Sequence, residues 1–296
     1  MGAMKPVLAV VHTRHSPCRC HEFFVREARA LGWRAVRVAV EEMALHRAIL
    51  ARADLVAEHT DTYGGRGDLR PLVRHFVESV GGRLLGASAA AAQVCDDKIE
   101  ARRRMEAAGI PVAPLARGRF PAVVKRPFEH GSRGIALVRD RAALERACRR
   151  WHADGTLLVE RFVEGRELSV GLLEGGGRLL ALPVVETLLP PGRTYGRARK
   201  WLDGAGPPIV AAALPARLDS RIRRLAERAF RALGLRDYAR FDVRLSSDGT
   251  PCFLEANARP SVEEGTEFRV AAALAGYDGM RLMSLLLATR KRRTKR

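Results

Sequence analysis

Apolar and polar positions follow a mixed pattern in the first ninety residues and a mostly strand-like one after residue 120. In the first part, short apolar runs at 7–11, 35–40 and 55–57 alternate with segments at helical spacing over 22–31, 45–53 and 69–80. That rhythm predicts βαβ units in a parallel sheet. A helix is expected from Ser88 to a break near Cys95. A second, capped by Asp97, should run to Ala108 and close at Gly109 and Pro111. Strands are then expected at 122–125, 135–138, 157–160, 166–173 and 179–185, with one helix at 141–151. The stretch 190–208, rich in Pro, Gly and Arg, reads as a mobile loop. After it, Ile222, Leu225, Ala226, Ala229, Phe230 and Leu233 mark one face of a helix. No internal repeat is visible.

At 296 residues and 47% hydrophobic content, the chain can bury a sizeable core in two or three units. No apolar run approaches the roughly 18 residues of a membrane span, and no signal-peptide pattern opens the chain, so a soluble cytoplasmic protein is expected. Met1-Gly2-Ala3 reads as an addition ahead of a native Met4. The net charge of +19 suggests a nucleic-acid-binding module, but arginines are scattered over nearly every predicted helix and only 290–296 forms a basic run. The kind of base says more. Of 52 basic residues 46 are arginine and 6 lysine, and the interior keeps only Lys98, Lys125 and Lys200. An ammonium meets a phosphate as a compact point charge where a planar guanidinium fork does not fit, which makes these three lysines candidate phosphate contacts. Five cysteines, odd in number and unevenly spaced, fit a reducing compartment. His12, His15, Cys18, Cys20 and His21 offer soft ligands, but their spacing matches no paired-ligand zinc knuckle, and the segment reads as a polar loop.

Around Asp248-Gly249 the chain predicts a hairpin with a two-residue turn. Centred there, Phe241, Val243 and Leu245 face Ala256, Leu254 and Cys252 on an apolar side. The other side sets Asp242 opposite Glu255 and Arg240 opposite Asn257. Two carboxylates with Cβ atoms roughly 5 Å apart repel unless a positive charge lies between them. Mg²⁺ is one candidate, since it takes one or two carboxylates and completes its shell with water and phosphate. A solvated face neutralised by Arg240 and Arg244 is the other reading.

Between predicted strands ending at Lys125 and beginning at Ile135, Gly131-Ser132-Arg133-Gly134 can bring backbone N–H groups close to an anion. The order of features now resembles the ATP-grasp family, in its D-alanine–D-alanine ligase-like branch, from about Ser88 to Ala275. The likeness rests on the Asp97-Lys98 helix ending in AAGIPV, the strand with Lys125 and the glycine loop. It continues through LVERFVEGRELSVGLL, RFDVRL and LEANARP.

The resemblance implies an α/β and α+β ATP-grasp fold behind an N-terminal Rossmann-like domain. The divisions expected are 1–87, a central subdomain 88–161, a C-terminal subdomain 162–289 and a basic tail 290–296. It implies ATP and Mg²⁺, with Mn²⁺ as a substitute. Lys98, Lys125, Gly131, Ser132 and Gly134 would meet phosphates. Glu160 with the backbone of Arg161, Phe162 and Val163 would meet adenine, and Glu167 the ribose. Lys200 would reach the terminal phosphate from a mobile loop. Asp242, Glu255 and Asn257 match metal ligands, and Arg240 the cation that stabilises the tetrahedral intermediate. The reaction implied is carboxylate–amine ligation through an acyl phosphate, on an amino acid or small peptide, in a protein that can form a homodimer. The alternatives are a kinase-like or non-catalytic ATP-binding protein, or the basic nucleic-acid module.

Three departures bear on the substrate. HTRHSPCRCHE replaces the family's glycine-rich first loop, Arg259-Pro260-Ser261 replaces Ser-Pro-Gly, and Trp201 stands for a tyrosine. Glu263 and Glu264 read as solvated loop acids, with an amine-binding role as the other reading.

Overall fold

The computed structural model describes residues 4–14, 16, 18–129, 134–151, 157–175, 177–189 and 206–289. The expectations for His15, Gly131, Ser132, Lys200, Trp201, most of 190–208 and the tail 290–296 lie outside these residues.

The predicted βαβ units form a four-stranded parallel sheet. Its strands are β1 (Val7–His12), β2 (Arg34–Ala39), β3 (Leu55–His59) and β4 (Leu84–Leu85), in the order β2-β1-β3-β4. Leu8 and Val10 pack in one core with Phe23 and Phe24 of α1 (Cys20–Ala30). Ala9 and Val11 pack on the other face with Leu50 of α2 (Arg47–Arg52) and Val73 and Val77 of α3 (Arg70–Ser79). Cover on both faces is why β1 reads as a continuous apolar run. The two residues of β4 are too few to show a period, and pattern reading misses them.

Ser88 accepts from the N–H of Ala91 to cap α4 (Ala89–Asp96), and Asp97 accepts from Ile99 and Glu100 to cap α5 (Lys98–Ala107). A three-stranded antiparallel sheet follows, with β5 (Ala122–Lys125) between β6 (Ile135–Val138) and β7 (Leu158–Arg161). It packs on α6 (Arg141–Arg150). The third sheet is built on β8 (Gly165–Gly175), beside β12 (Tyr238–Ser246), which pairs with β13 (Pro251–Asn257). On the other edge of β8 lie β9 (Arg178–Ala181) and β10 (Val185–Thr187), and β11 (Ile209–Ala211) extends β10. The single strand expected over 179–185 is thus two. Pro183, between them, has no N–H for the ladder, and the register slips by one residue across it.

One face of the third sheet, with Leu168, Val170, Phe241 and Val243, buries against α7 (Ala216–Ala232) through Ile222, Leu225, Ala226, Ala229 and Phe230. This is the predicted helix face. Helices α4 and α5 join the same core through Ala92, Cys95, Ala101 and Met105, so 88–107 packs on the third sheet. Helices α8 (Glu267–Leu274) and α9 (Gly279–Leu287) tie the third sheet to the first, because Phe268, Leu282 and Met283 share a core with Leu8, Phe24 and Leu173. No single helix among the described residues is long and apolar enough to cross a membrane.

The hairpin differs from its expected register. Arg240, Phe241 and Asp242 do pair with Asn257, Ala256 and Glu255, but Val243, Arg244 and Leu245 pair with Phe253, Cys252 and Pro251. The turn has three residues rather than two. Gly249 N–H bonds the Ser246 carbonyl (3.0 Å), Ser246 N–H bonds the Thr250 carbonyl (3.1 Å), and only Gly249, at φ +79°, adopts the left-handed conformation. A bulge at Asp242/Val243 absorbs the resulting one-residue offset. Phe253 therefore fills the core, while Leu254 and Cys252 stand outside that cluster.

Candidate active site

The outer face of β8, β12 and β13 carries charge where the inner face carries apolar side chains, and together with β5 and β7 it walls a cavity. Strand alternation explains the membership. Arg240, Asp242 and Arg244 point one way from β12, and Glu167 and Ser169 from β8 meet them across the ladder. Asp242 lies opposite Ser169, whose hydroxyl donates to it at 3.0 Å. Arg244 lies opposite Glu167, with ends 2.5 Å apart.

Of the predicted residues, Lys125, Glu160, Arg161, Phe162, Val163, Glu167, Arg240, Asp242, Glu255 and Asn257 line this one cavity. Lys125 and Glu160 are diagonal neighbours on β5 and β7 and form an ion pair at 2.6 Å. The Lys125 ammonium also reaches the Leu254 carbonyl at 3.4 Å. Lys98 is not part of the lining. Its buried ammonium lies 3.3 Å from Glu255 and donates to the Glu129 carbonyl, joining the acid to the edge of the glycine loop. Gly134 does not line the cavity either. It sits at φ +60°, and a Cβ there would fall 2.9 Å from the Arg126 side chain, so the loop can re-enter β6 only with glycine.

Ser169, Thr187, Leu254 and Glu267 also line the cavity and were missed. Ser169 was within reach, because it stands two residues from Glu167 on a strand. Glu267 opens α8, beyond the loop that follows β13, and carries no local signal.

Asp242 is fully engaged. Arg240 grips both its oxygens at 2.7 and 2.9 Å, and Asn257 donates at 3.0 Å. A further Arg240 nitrogen binds Glu267 at 2.8 Å. Burial disfavours the Arg240 charge, but Asp242 and Glu267 outweigh it and hold the guanidinium above its usual pKa. Burial pushes Glu167 above the usual carboxylate range, with Arg244 opposing and Asp242 and Glu267 adding repulsion. Of the two arginines expected to neutralise the hairpin acids, Arg240 does hold Asp242, but Arg244 pairs with Glu167, and it is Lys98 that stands against Glu255. Five carboxylates still face four cationic side chains in this lining, in a chain of net charge +19. Two carboxylates and an amide side by side are a hard-oxygen donor set, which fits Mg²⁺.

A second cavity shares Arg240 and Asn257 with the first and opens at the carboxyl ends of β1 and β3. That end of a parallel sheet is where open α/β folds bind ligands. Its walls include Cys18, Cys20, His59, Asp61, Arg70 and Glu263. The Cys18 thiol pulls its neighbour Cys20 well below the usual thiol range, against burial and with help from His59 and Ser261. His12 and His21 stack on each other at 4.4 Å instead. In the wall of this cavity, Arg259 explains one departure from the family pattern. It binds Glu58 (2.5 Å) and Asp96 (2.6 Å), Glu58 also binds Arg74 (2.7 Å), and Arg70 binds Asp96 (2.5 Å).

The family model described as the D-ala D-ala ligase C-terminus matches residues 99–288. A D-alanine–D-alanine ligase from Citrifermentans bemidjiense is 32% identical over 229 residues, covering 73% of this chain and 72% of that protein. A protein from Sinorhizobium fredii named uncharacterized protein y4sG is also 32% identical, over 240 residues, 74% of this chain and 69% of the other. The crystal structure of D-alanine–D-alanine ligase from Bacillus anthracis complexed with ATP superposes with a TM-score of 0.79. It covers 98% of this chain and 99% of that one at 18% identity, a likeness of fold. With an ATP-grasp architecture, a matched family model over most of its length and relatives of this identity, the chain belongs to the D-alanine–D-alanine ligase family.

Proposed function

We propose that this chain is an ATP-dependent ligase that joins a carboxylate to an amine, acting on an amino acid or small peptide. The observation that carries the proposal is the meeting of two cavities at Arg240 and Asn257, one suited to a nucleotide and the other to a small polar substrate. In the first, the 160–163 segment offers backbone groups to a base and Glu167 an acceptor for ribose hydroxyls. Lys125 faces the phosphates, and Lys98 stands behind Glu255. Asp242, Glu255 and Asn257 would hold Mg²⁺, which when bound offsets phosphate charge.

A substrate carboxylate oxygen attacks the γ-phosphorus, the bond to the bridging oxygen breaks, and ADP leaves. An amine, as its free base, then attacks the acyl phosphate carbon, expels phosphate and loses a proton to solvent. The chain supplies no nucleophile. Arg240, at the junction, is placed to stabilise the negative charge that develops on the attacked carboxyl oxygen. Asp61 gives an incoming ammonium a negative neighbour before it loses its proton.

The test is a pairwise screen of amino acids, D-alanine included, for ADP release, with products identified by mass. ADP release together with a condensed product supports the reading. A stable phosphoester would replace it with a kinase, and release that no substrate stimulates would remove it. The reading also carries a cytoplasmic homodimer, checked by cell fractionation and light scattering.

Lys125→Arg is expected to fail although it keeps the charge. The ammonium is buried between Glu160 and the Leu254 carbonyl, and a wider fork has no room there. Loss of one such contact costs on the order of a hundred-fold in rate. ATP affinity and turnover measured together check this, and wild-type values would mean that Lys125 does not touch the nucleotide.

A further inference from the structure

We propose that Cys18, Cys20 and Glu263 bind a soft divalent cation of the zinc class on the wall of the second cavity. The two sulfurs and a Glu263 carboxylate oxygen all lie within 4.8 Å of one another. Cys20 Sγ is 3.6 Å from Glu263 Oε1. The i, i+2 spacing brings two thiols together where the chain enters α1, and the carboxylate arrives from the loop after β13, 243 residues away. Two thiolates and a carboxylate are a donor set that zinc-class ions prefer and Mg²⁺ does not.

The surroundings fit anionic ligands. The Val262 N–H points at Cys20 Sγ (3.4 Å), Ser261 Oγ lies 3.3 Å from it, and the Arg19 N–H binds Glu263 Oε1 (2.9 Å). Outer hydrogen bonds of this kind orient metal ligands. Among the described residues no lysine or arginine side chain forms an ion pair with Glu263, although the chain holds 46 arginines; the Arg19 guanidinium turns to Glu22 instead. Three protein ligands leave a fourth position open. It would face the cavity, where a small carboxylate or amine could complete the shell. On binding, the cation replaces both thiol protons, which leave to solvent, and takes two thiolates and the existing carboxylate as ligands. Its role toward a substrate rests on the ligase reading, but the site itself does not.

The test uses the reduced, metal-stripped full chain titrated with Co²⁺ and then Zn²⁺. One equivalent of cobalt should give a thiolate-to-cobalt charge-transfer band, which one equivalent of zinc removes. Cys18→Ser and Cys20→Ser should each weaken zinc binding on the order of a hundred-fold or more. Glu263→Gln should keep the band but weaken binding by at least about ten-fold. Cys148→Ser, distant in sequence and outside the cluster, should change nothing. Circular dichroism of the metal-free variants checks folding. If the buried Cys20 variant fails to fold, the half-buried Cys18 variant decides. The proposal is overturned if wild type shows no charge-transfer band, if the Cys18 variant keeps wild-type band intensity and zinc affinity, or if Glu263→Gln binds zinc as wild type does.

Discussion

Glu255→Gln should lower ligase turnover by about a hundred- to a thousand-fold while leaving the fold intact. Glu255 stands opposite Asp242 across β12 and β13, so its charge is needed only if a cation comes between them. Its ion-pair partner is Lys98 at 3.3 Å, and its side chain keeps 23% exposure, so the charge removed is partly solvated and its loss also relieves the repulsion with Asp242. The Lys98 ammonium still has the carbonyls of Glu129 and Pro127. Asp242→Asn should abolish turnover as well, but not cleanly. Its carboxylate holds Arg240 through two hydrogen bonds in a buried position, and removing its charge leaves that guanidinium with Glu267 as its remaining ion pair. The pair of variants separates chemistry from folding. Glu255→Gln should melt with wild type and Asp242→Asn below it, with both inactive. A fully active Glu255→Gln would remove the metal-binding role from the hairpin.

The largest expected loss of stability is at Glu58. Its carboxylate, fully buried, accepts from Arg74, from Arg259 and from the backbone and hydroxyl of Thr60. Glu58→Gln leaves Arg74, also without exposure, facing the carbonyls of Ala87 and residue 58. Breaking a buried pair from one side costs about 3–5 kcal/mol, a large share of the roughly 5–15 kcal/mol that holds a domain folded. Urea unfolding should show the midpoint falling with the slope unchanged. Arg74→Met in the Glu58→Gln background should recover part of the loss, since it removes the stranded charge.

The pH dependence has a fixed sign. Burial would raise the Glu58 pKa, but Arg259 and Arg74 outweigh it and hold the folded value below the ordinary 4.5. A depressed folded pKa contributes stability that is complete above the unfolded value and is lost as pH falls toward the folded one. The gap between wild type and Glu58→Gln should therefore stay level from neutral pH to about 4.5 and narrow below it. A gap that narrowed on the alkaline side instead would assign the stabilisation to another group.

The sequence joined Arg240 and Asp242 to Asn257 and Glu255 through strand alternation and a two-residue turn; the turn has three residues, and the pairs hold because the bulge at Asp242/Val243 cancels the offset. Local rules were enough for the Asp97 cap, the buried face of α7 and the diagonal of Lys125 and Glu160, once the strands are known. Scarcity of lysine pointed to Lys98 and Lys125 before any fold was considered, although only Lys125 faces the cavity. What pattern could not supply was the bulge that turns Phe253 inward in place of Leu254. It depends on how a three-residue turn is reconciled with two packed faces. Nor could pattern supply Glu58 with Arg259, 201 residues apart, Arg240 with Glu267 across 27, or Cys20 with Glu263 across 243. Cys20, Arg240, Arg259 and Glu263 lie in segments the sequence marks, but nothing local says which partner each acquires. A buried charge or thiol acquires its meaning from the group brought against it, and only the packing of the first and third sheets through α8 and α9 determines which groups meet.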